Sequence, residues 1–181
     1  MTLVAVPAET DARVLEMEWS VPPGEKLVAA DHYHPGGPEV WTVVNGRAGY
    51  RLDGSEHRAE GPFEWVVPHG TSHGHPWNEG DETLTVRQRI DTGEEYIAGL
   101  TSGVQAYFET LFAFAQADGL DEGGEIRGRL QNTLTINDLL LGGTYLAGPP
   151  KWVQRVVLGA VAAIARARGM RAYRQPEFET P

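Results

Sequence analysis

The sequence predicts a mainly β protein, in which one small β-barrel or jelly roll is followed by an α-helical extension. From Arg13 to about Asp91, short runs of apolar and β-branched residues alternate with turn-forming residues, as in small all-β folds. After Asp91 the apolar residues recur at helical spacing instead. We therefore expect a barrel domain at residues 1–91 and a helical extension at residues 92–181.

The predicted barrel contains eight strands separated by turns. They cover residues 13–20, 26–34, 39–44, 47–52, 55–60, 63–68, 72–77 and 82–90. Asn45-Gly46 stands between two β-rich runs and predicts a two-residue hairpin turn. Asp53-Gly54 predicts a second tight turn.

The extension is predicted to contain three helices. They cover residues 94–117, about 137–146 and 150–168, with a loop at 120–128. Thr92 and Glu95 have the spacing of a capping box before the first helix, and Pro150 suits the first position of the third.

Composition excludes several classes of protein and site. The chain has no cysteine, so thiolate metal sites, disulfides and cysteine nucleophiles are excluded, and any metal must be bound by imidazole and oxygen. A formal net charge of −10 argues against a nucleic-acid partner. No signal peptide or apolar run of membrane-spanning length is evident, so we expect a cytoplasmic protein.

Four residues in two short passages have the chemistry and spacing of metal ligands. His32 and His34 are two apart on a predicted strand, so both side chains leave the same face, and Glu39 begins the next strand. His73 follows a turn and lies on the inner face of a later strand. Three imidazoles and a carboxylate suit one divalent transition metal ion, Fe(II), Mn(II), Ni(II), Co(II) or Zn(II), and leave one or two coordination positions open.

Residues 24–46 and 61–78 resemble the two motifs of the cupin superfamily. The first contains His32-x-His34, four residues, Glu39, six residues and Gly46; the second contains Gly61, Pro68-x-Gly70, two residues and His73. The resemblance covers about residues 13–91 and implies a cupin-type β-barrel in which those three histidines and Glu39 are the metal ligands. Gly24, the Gly61 to Pro68 spacing and Asn78 depart from the pattern by one or two residues, which affects loops rather than ligands.

The inner wall of the barrel is predicted to be partly aromatic. Pairing across the Asn45-Gly46 hairpin, together with alternation along the strand from Glu39, predicts four inward-facing residues that line a substrate pocket. They are Trp41 and Val43 on one strand and their partners Tyr50 and Ala48 on the next. Such a wall favours an apolar or aromatic small molecule, although the same residues also suit an ordinary core.

His75 lies two residues after His73 and shares its inward face. Four roles remain open for it: a general acid or base, an alternative ligand, a group that orients substrate, or a histidine bonded to a carbonyl or water at the barrel mouth. His57 and His69 are expected to be exposed and without function. Glu39 is a further candidate base, since a carboxylate ligand can leave the metal.

These features predict a mononuclear metal-dependent enzyme acting on a small aromatic or apolar substrate. The ligand set resembles that of quercetinase-like cupins, which implies dioxygenase-like chemistry and makes Fe(II) the first candidate metal. Two alternatives remain. One is isomerase, cyclase or hydrolytic chemistry on Zn(II) or Mn(II), and the other is a binding or sensing module without turnover.

The predicted helix 150–168 is unusually basic. Between Asp138 and Glu177 the chain carries six Lys and Arg residues and no acidic residue. Three fates suit its apolar face: packing across the acidic barrel, a homodimer contact, or an anionic membrane surface. We expect intramolecular packing or a homodimer.

Overall fold

A computed structural model describes residues 1–26, 30–93, 99–121 and 124–174 of the chain. The strands are β1 (Thr2–Ala5), β2 (Val14–Val21), β3 (His32–Tyr33), β4 (Glu39–Asn45), β5 (Arg47–Leu52), β6 (Ser55–Glu60), β7 (Phe63–Val67), β8 (His73–Asn78), β9 (Leu84–Asp91) and β10 (Tyr145–Leu146). The helices are α1 (Leu100–Gln116), α2 (Arg129–Leu141) and α3 (Lys151–Ala167).

The strands form two antiparallel five-stranded sheets, in the orders β1-β2-β9-β4-β7 and β10-β3-β8-β5-β6. Alternation along β2 and β9 turns every second side chain inward, so Leu15, Met17, Leu84 and Val86 are fully buried. Inward residues of both sheets join in one apolar core. The predicted mainly β fold with a helical extension is confirmed.

The predicted hairpin at Asn45-Gly46 is wrong. Strand β4 pairs with β7 and β9, whereas β5 pairs with β6 and β8, so the chain crosses between sheets at Gly46. Gly46 does have the positive φ that the turn signal indicated, at 94°, and its Cα lies so close to β9 that a Cβ would come within 3.0 Å of Leu84 Cα. The crossing places the apolar faces of β4 and β5 in opposite sheets.

The other strand predictions agree with the structure to within a few residues, with two exceptions. Strand β1, which pairs with β2, was not predicted. The predicted strand 26–34 is reduced to His32–Tyr33 among the described residues, and residues 27–29 lie outside them. The turn at Asp53-Gly54 is confirmed: both residues have positive φ, and Leu52 pairs with Ser55 across it.

The helix predictions were right for two of the three helices. Helices α1 and α3 agree with the predicted ranges, although residues 94–98, including Glu95 of the predicted capping box, lie outside the described residues. The second helix was misplaced: it occupies Arg129–Leu141 and ends at Gly142-Gly143. Tyr145 and Leu146 form β10, because their backbone pairs with β3.

The helical extension is joined to the barrel by packing and by backbone pairing. Leu100, Val104 and Phe108 of α1 belong to the same buried cluster as the barrel core, and the Phe108 ring meets Trp19 edge-on at a centroid distance of 4.6 Å. Strand β10 extends the second sheet beyond β3. Helix α1 therefore covers one open side of the barrel.

Helix α3 buries small alanine side chains and exposes its larger apolar side chains. Ala162 and Ala165 pack with Leu134 of α2, while Trp152 is 70% exposed and Val156 63% exposed. The predicted packing of this apolar face across the barrel is therefore not found in the described part of the chain. Among the described residues, no helix has both the length and the apolar character that a membrane span requires.

Candidate metal centre

The four predicted ligands come from three strands that meet at one end of the barrel. His32 on β3 pairs directly with His73, the first residue of β8, and His34 follows β3 by one residue. Glu39 begins β4 in the opposite sheet. All four side chains are buried, and one ligand atom from each lies within 4.8 Å of those of the others. The structure thus brings together the quartet that the sequence predicted.

Backbone carbonyls orient two of the imidazoles. Nδ1 of His73 donates to the Thr71 carbonyl at 2.9 Å, and Nδ1 of His32 donates to the Ala30 carbonyl at 3.2 Å. With Nδ1 used in this way, Nε2 is the free ring nitrogen, as in many metal-binding histidines. Nε2 of His73 lies 3.2 Å from Oε2 of Glu39, and Nε2 of His34 lies 3.3 Å from the same oxygen.

Electrostatics within the quartet favour a charged Glu39 carboxylate beside neutral His32 and His34 rings, and favour the protonated form of His73. Burial alone would raise the pKa of Glu39, but the charge of His73 and its hydrogen bond lower that pKa far below its usual range. Burial lowers the pKa of His34 to about 4 and that of His32 well below 6.5. For His73 burial is outweighed by the Glu39 charge and hydrogen bond, so its pKa is raised.

His75 faces the same space but stands outside the quartet. Its ring stacks beside His32 at 5.0 Å between centroids and meets Trp41 and Phe108 edge-on at 5.4 and 5.5 Å. Neither ring nitrogen has a hydrogen-bond partner within the described residues, although the side chain is buried. Burial lowers the pKa of His75 to about 4, so the ring is neutral near pH 7.

Gln88 on β9 contacts the quartet from the opposite sheet. Its Nε2 donates to Oε1 of Glu39 at 2.9 Å, while its own Oε1 has no partner in the part of the chain that the structure describes. Gln88 therefore fixes the orientation of the carboxylate.

A cavity of about 80 Å³ adjoins His32, His34 and His75. Its other walls come mainly from the helical extension, including apolar side chains of both α1 and α2. Those apolar residues are Val104, Tyr107, Phe108, Ile136, Leu139 and Leu140, and the polar ones include Gln88, Asn132, Thr144 and Gln154. The barrel thus supplies the polar floor and the extension supplies the apolar cover.

The four predicted substrate residues lie inside the barrel. Trp41, Val43, Ala48 and Tyr50 are all buried, as expected of inward-facing positions. The rings of Trp41 and Tyr50 both stack with the ring of Trp65, at centroid distances of 6.0 and 4.1 Å. None of the four is among the residues that line the described cavity. Their contact with a substrate stays a prediction, whereas their place in the barrel core is observed.

Comparison with known families agrees with this geometry. The sequence profile of the cupin domain matches residues 17–91, which contain most of β2, the seven strands from β3 to β9 and all four residues of the quartet. Residues 17–91 form a cupin domain. The helices α1, α2 and α3 lie beyond the matched region.

Solved structures resemble the cupin domain at low sequence identity. A conserved protein with a double-stranded β-helix domain from Klebsiella pneumoniae is 24% identical, with 51% of this chain and 76% of that chain covered and a TM-score of 0.43. A predicted oxalate decarboxylase from Thermotoga maritima is 18% identical, covering 51% and 78%, with a TM-score of 0.47. A search of curated proteins found no match.

The residues of the cupin domain fit a single metal ion. Three buried imidazoles and one buried carboxylate converge, and Nε2 of His34 has no hydrogen-bond partner among the described residues. A buried carboxylate is costly without a cation beside it, and a divalent ion held by the three imidazoles would supply that charge. His32, His34, Glu39 and His73 would hold it.

Sequence reasoning missed Gln88 and the whole helical side of the cavity. The alternation of β9 was a usable signal for Gln88, because Leu84, Val86 and Ile90 are apolar and Gln88 is the polar residue in the same inward series. Thr144 and the apolar residues of α2 had no comparable signal, since α2 was misplaced along the chain. His57 and His69 are exposed, as predicted.

Proposed function

We propose that this protein is a mononuclear metal-dependent enzyme whose substrate is a small apolar or aromatic molecule, with dioxygenase-like chemistry as the first candidate. The observation that carries the proposal is the position of the quartet beside a largely apolar cavity, with His32 and His34 among the cavity walls. A divalent ion held there supplies Lewis acidity, and Fe(II) also supplies redox chemistry with O2.

The chain's own residues provide the remaining functions. His75 is a neutral, buried ring with two unpaired nitrogens within the described chain, so it is equipped to accept or donate a proton beside the metal. Apolar side chains of α1 and α2 line the rest of the cavity. Glu39 is less suited to act as a base than the sequence suggested, because Gln88 and His73 each hold one of its oxygens.

Metal content tests the ligand assignment. Protein purified without an affinity tag or chelator should contain about one transition metal ion per chain by elemental analysis. The double variant His32→Ala/His73→Ala should contain almost none, while the exposed-histidine control His57→Ala should keep the wild-type content. Stoichiometric metal in the double variant would show that the ligands lie elsewhere.

Turnover tests the enzyme assignment. Fe(II)-, Mn(II)-, Ni(II)- and Zn(II)-loaded protein should be mixed with 4-methylcatechol in single-turnover experiments, with O2 consumption and product followed together. We expect O2-dependent conversion by the Fe(II) form and none by the Zn(II) form. Conversion by Zn(II) or Mn(II) protein without O2 would favour isomerase, cyclase or hydrolytic chemistry. Binding with no conversion by any metal form would favour the sensing module.

A further inference from the structure

Besides the metal-ligand candidate His34, three buried polar side chains line the cavity with unpaired atoms. Within residues 1–26, 30–93, 99–121 and 124–174, no hydrogen-bond partner is found for either ring nitrogen of His75, for Oε1 of Gln88 or for Oγ1 of Thr144. The exposed fractions of these residues are 6%, 1% and 5%. Leaving one such group unpaired costs about 1–3 kcal/mol. Three around one cavity indicate a polar ligand that pairs with them.

Gln88 determines which kind of polar group the ligand carries. A carboxylate only accepts hydrogen bonds, so the 2.9 Å contact with Glu39 requires the Gln88 amide to point its Nε2 at Glu39. Its Oε1 is then the unpaired atom, and a carbonyl oxygen can only accept. A ligand that satisfies Gln88 must therefore bring a donor, as a hydroxyl does and a carboxylate does not.

The charged residues of the cavity lining further restrict the chemical class of the ligand. Among the described residues that line the cavity there is no Lys or Arg, while Glu125 contributes a carboxylate. Much of the lining consists of apolar side chains such as Val104, Ile136 and Leu139. An anionic ligand would find no protein cation to offset its desolvation. Its charge would depend on the metal ion alone.

We infer that the cavity binds an uncharged molecule with an apolar body of about one ring and at least one hydroxyl group, whose O–H donates to Oε1 of Gln88. The inference rests on the proposed function only for the metal ion beside the cavity. A volume of about 80 Å³ agrees with this size, since one water needs roughly 10–15 Å³ of the same measure. Gln88 is then a specificity-determining residue.

Direct binding tests the inference with matched probes. p-Cresol and its isostere p-xylene differ by a hydroxyl in place of a methyl group, and 4-methylbenzoate adds a charge to the same ring. Calorimetric titration of Zn(II)-loaded protein at pH 7 should show p-cresol binding at least about tenfold more tightly than p-xylene, as one good hydrogen bond to a buried acceptor gives. It should also bind more tightly than 4-methylbenzoate and oxalate. Equal affinities for p-cresol and p-xylene, or tighter binding of either anion, would overturn the inference.

The variant Gln88→Met assigns the effect to one atom. It should reduce the preference for p-cresol over p-xylene to about twofold or less, measured both with saturating Zn(II) and in the metal-free protein. The control Gln105→Met, on α1 outside the cavity lining, should keep the full preference. If folded Gln88→Met kept the wild-type preference for p-cresol over p-xylene, another group would be the one that binds the hydroxyl.

Titration of the metal-free protein separates this inference from the proposed function. If the chain binds no metal but still prefers p-cresol over p-xylene, the proposed function fails and the inference stands. If the chain binds zinc stoichiometrically but shows no such preference, the inference fails and the metal assignment stands.

Discussion

Nε2 of Gln88 donates a hydrogen bond to Oε1 of Glu39 across 2.9 Å, which joins an inward-facing residue of β9 to the first residue of β4. Both side chains are almost fully buried. The bond leaves Oε2 of Glu39 directed at His34 and His73. Gln88 thus orients the carboxylate without being a ligand itself, as residues behind metal ligands commonly do.

This relationship predicts that Gln88→Met weakens metal binding. Loss of the amide frees the Glu39 carboxylate to rotate, and the loss of comparable supporting hydrogen bonds lowers metal affinity about 10–100-fold. Competition titration with a chromophoric chelator measures the change for Zn(II), with Gln105→Met as the control. Wild-type affinity in Gln88→Met would mean that β4 alone orients the carboxylate.

A second prediction concerns the pH dependence of metal-free protein. The pKa of His75 is lowered to about 4 by burial, from an ordinary value of 6.5. Above pH 6.5 the ring is neutral in both states, and below it the unfolded chain takes up a proton that the folded chain does not. Stability is therefore lost as pH falls from about 6.5 toward 4, by about 2 kcal/mol at pH 5 for this one residue.

Denaturant unfolding in the presence of a chelator, at pH 7 and pH 5, measures this loss. The lowered pKa values of His32 and His34 act in the same direction, whereas the raised pKa of His73 acts in the opposite one. His75→Gln should show a smaller loss between the two pH values than wild type does. An unchanged loss in His75→Gln would mean that His75 is accessible to protons in the folded state.

A third prediction uses the contact between Gly49 and Trp77. These residues pair across β5 and β8, and a Cβ on Gly49 would come within 2.2 Å of the Trp77 ring. Gly49→Ala should therefore destabilise the fold by about 1–3 kcal/mol, the usual cost of overpacking. Gly159→Ala is the matched control in α3, where a Cβ meets nothing closer than 3.9 Å, and it should be stabilising by about 0.5–1 kcal/mol. Thermal and denaturant unfolding measure both, and equal effects of the two substitutions would contradict the packing argument.

The quartet was predictable because its geometry is local. His32-x-His34 fixes two side chains on one face by strand alternation alone, and the Pro68-x-Gly70 turn leads directly into His73. Placing Glu39 against them required the resemblance to the cupin motifs. The wrong hairpin left the predicted orientation of Trp41 intact, since that follows from alternation along β4. The inward orientation of Tyr50 was predicted from a pairing with Trp41 that the structure does not contain, although Tyr50 is buried.

The cavity was not predictable for a physical reason. Its apolar cover depends on where α2 begins and on which face of α1 meets the barrel, and both are decided by tertiary packing. Helical periodicity gave α1 correctly, but the second helix was predicted to run through Gly142-Gly143, where the structure ends it. The pairing of Tyr145 with Tyr33 joins residues more than a hundred positions apart, which no local pattern encodes.

The last prediction concerns the exposed apolar face of α3. Trp152, Val156 and Val157 are 70%, 63% and 53% exposed, and monomeric proteins rarely leave such a continuous patch open to water. We expect α3 to form the contact of a homodimer. Alanines 160, 163 and 167 are exposed on the same side of the helix, and such small residues allow two helices to approach closely.

Two of the basic residues of α3 are engaged within their own chain. Arg155 donates to the Tyr145 hydroxyl at 2.6 Å, and Arg166 is paired with Asp138. Sedimentation velocity should find a dimer for wild type and for the control Val66→Glu on β7, which is 51% exposed, but a monomer for Val156→Glu. A wild-type monomer that co-sediments with anionic vesicles at low salt would contradict the homodimer and assign the face to a membrane surface.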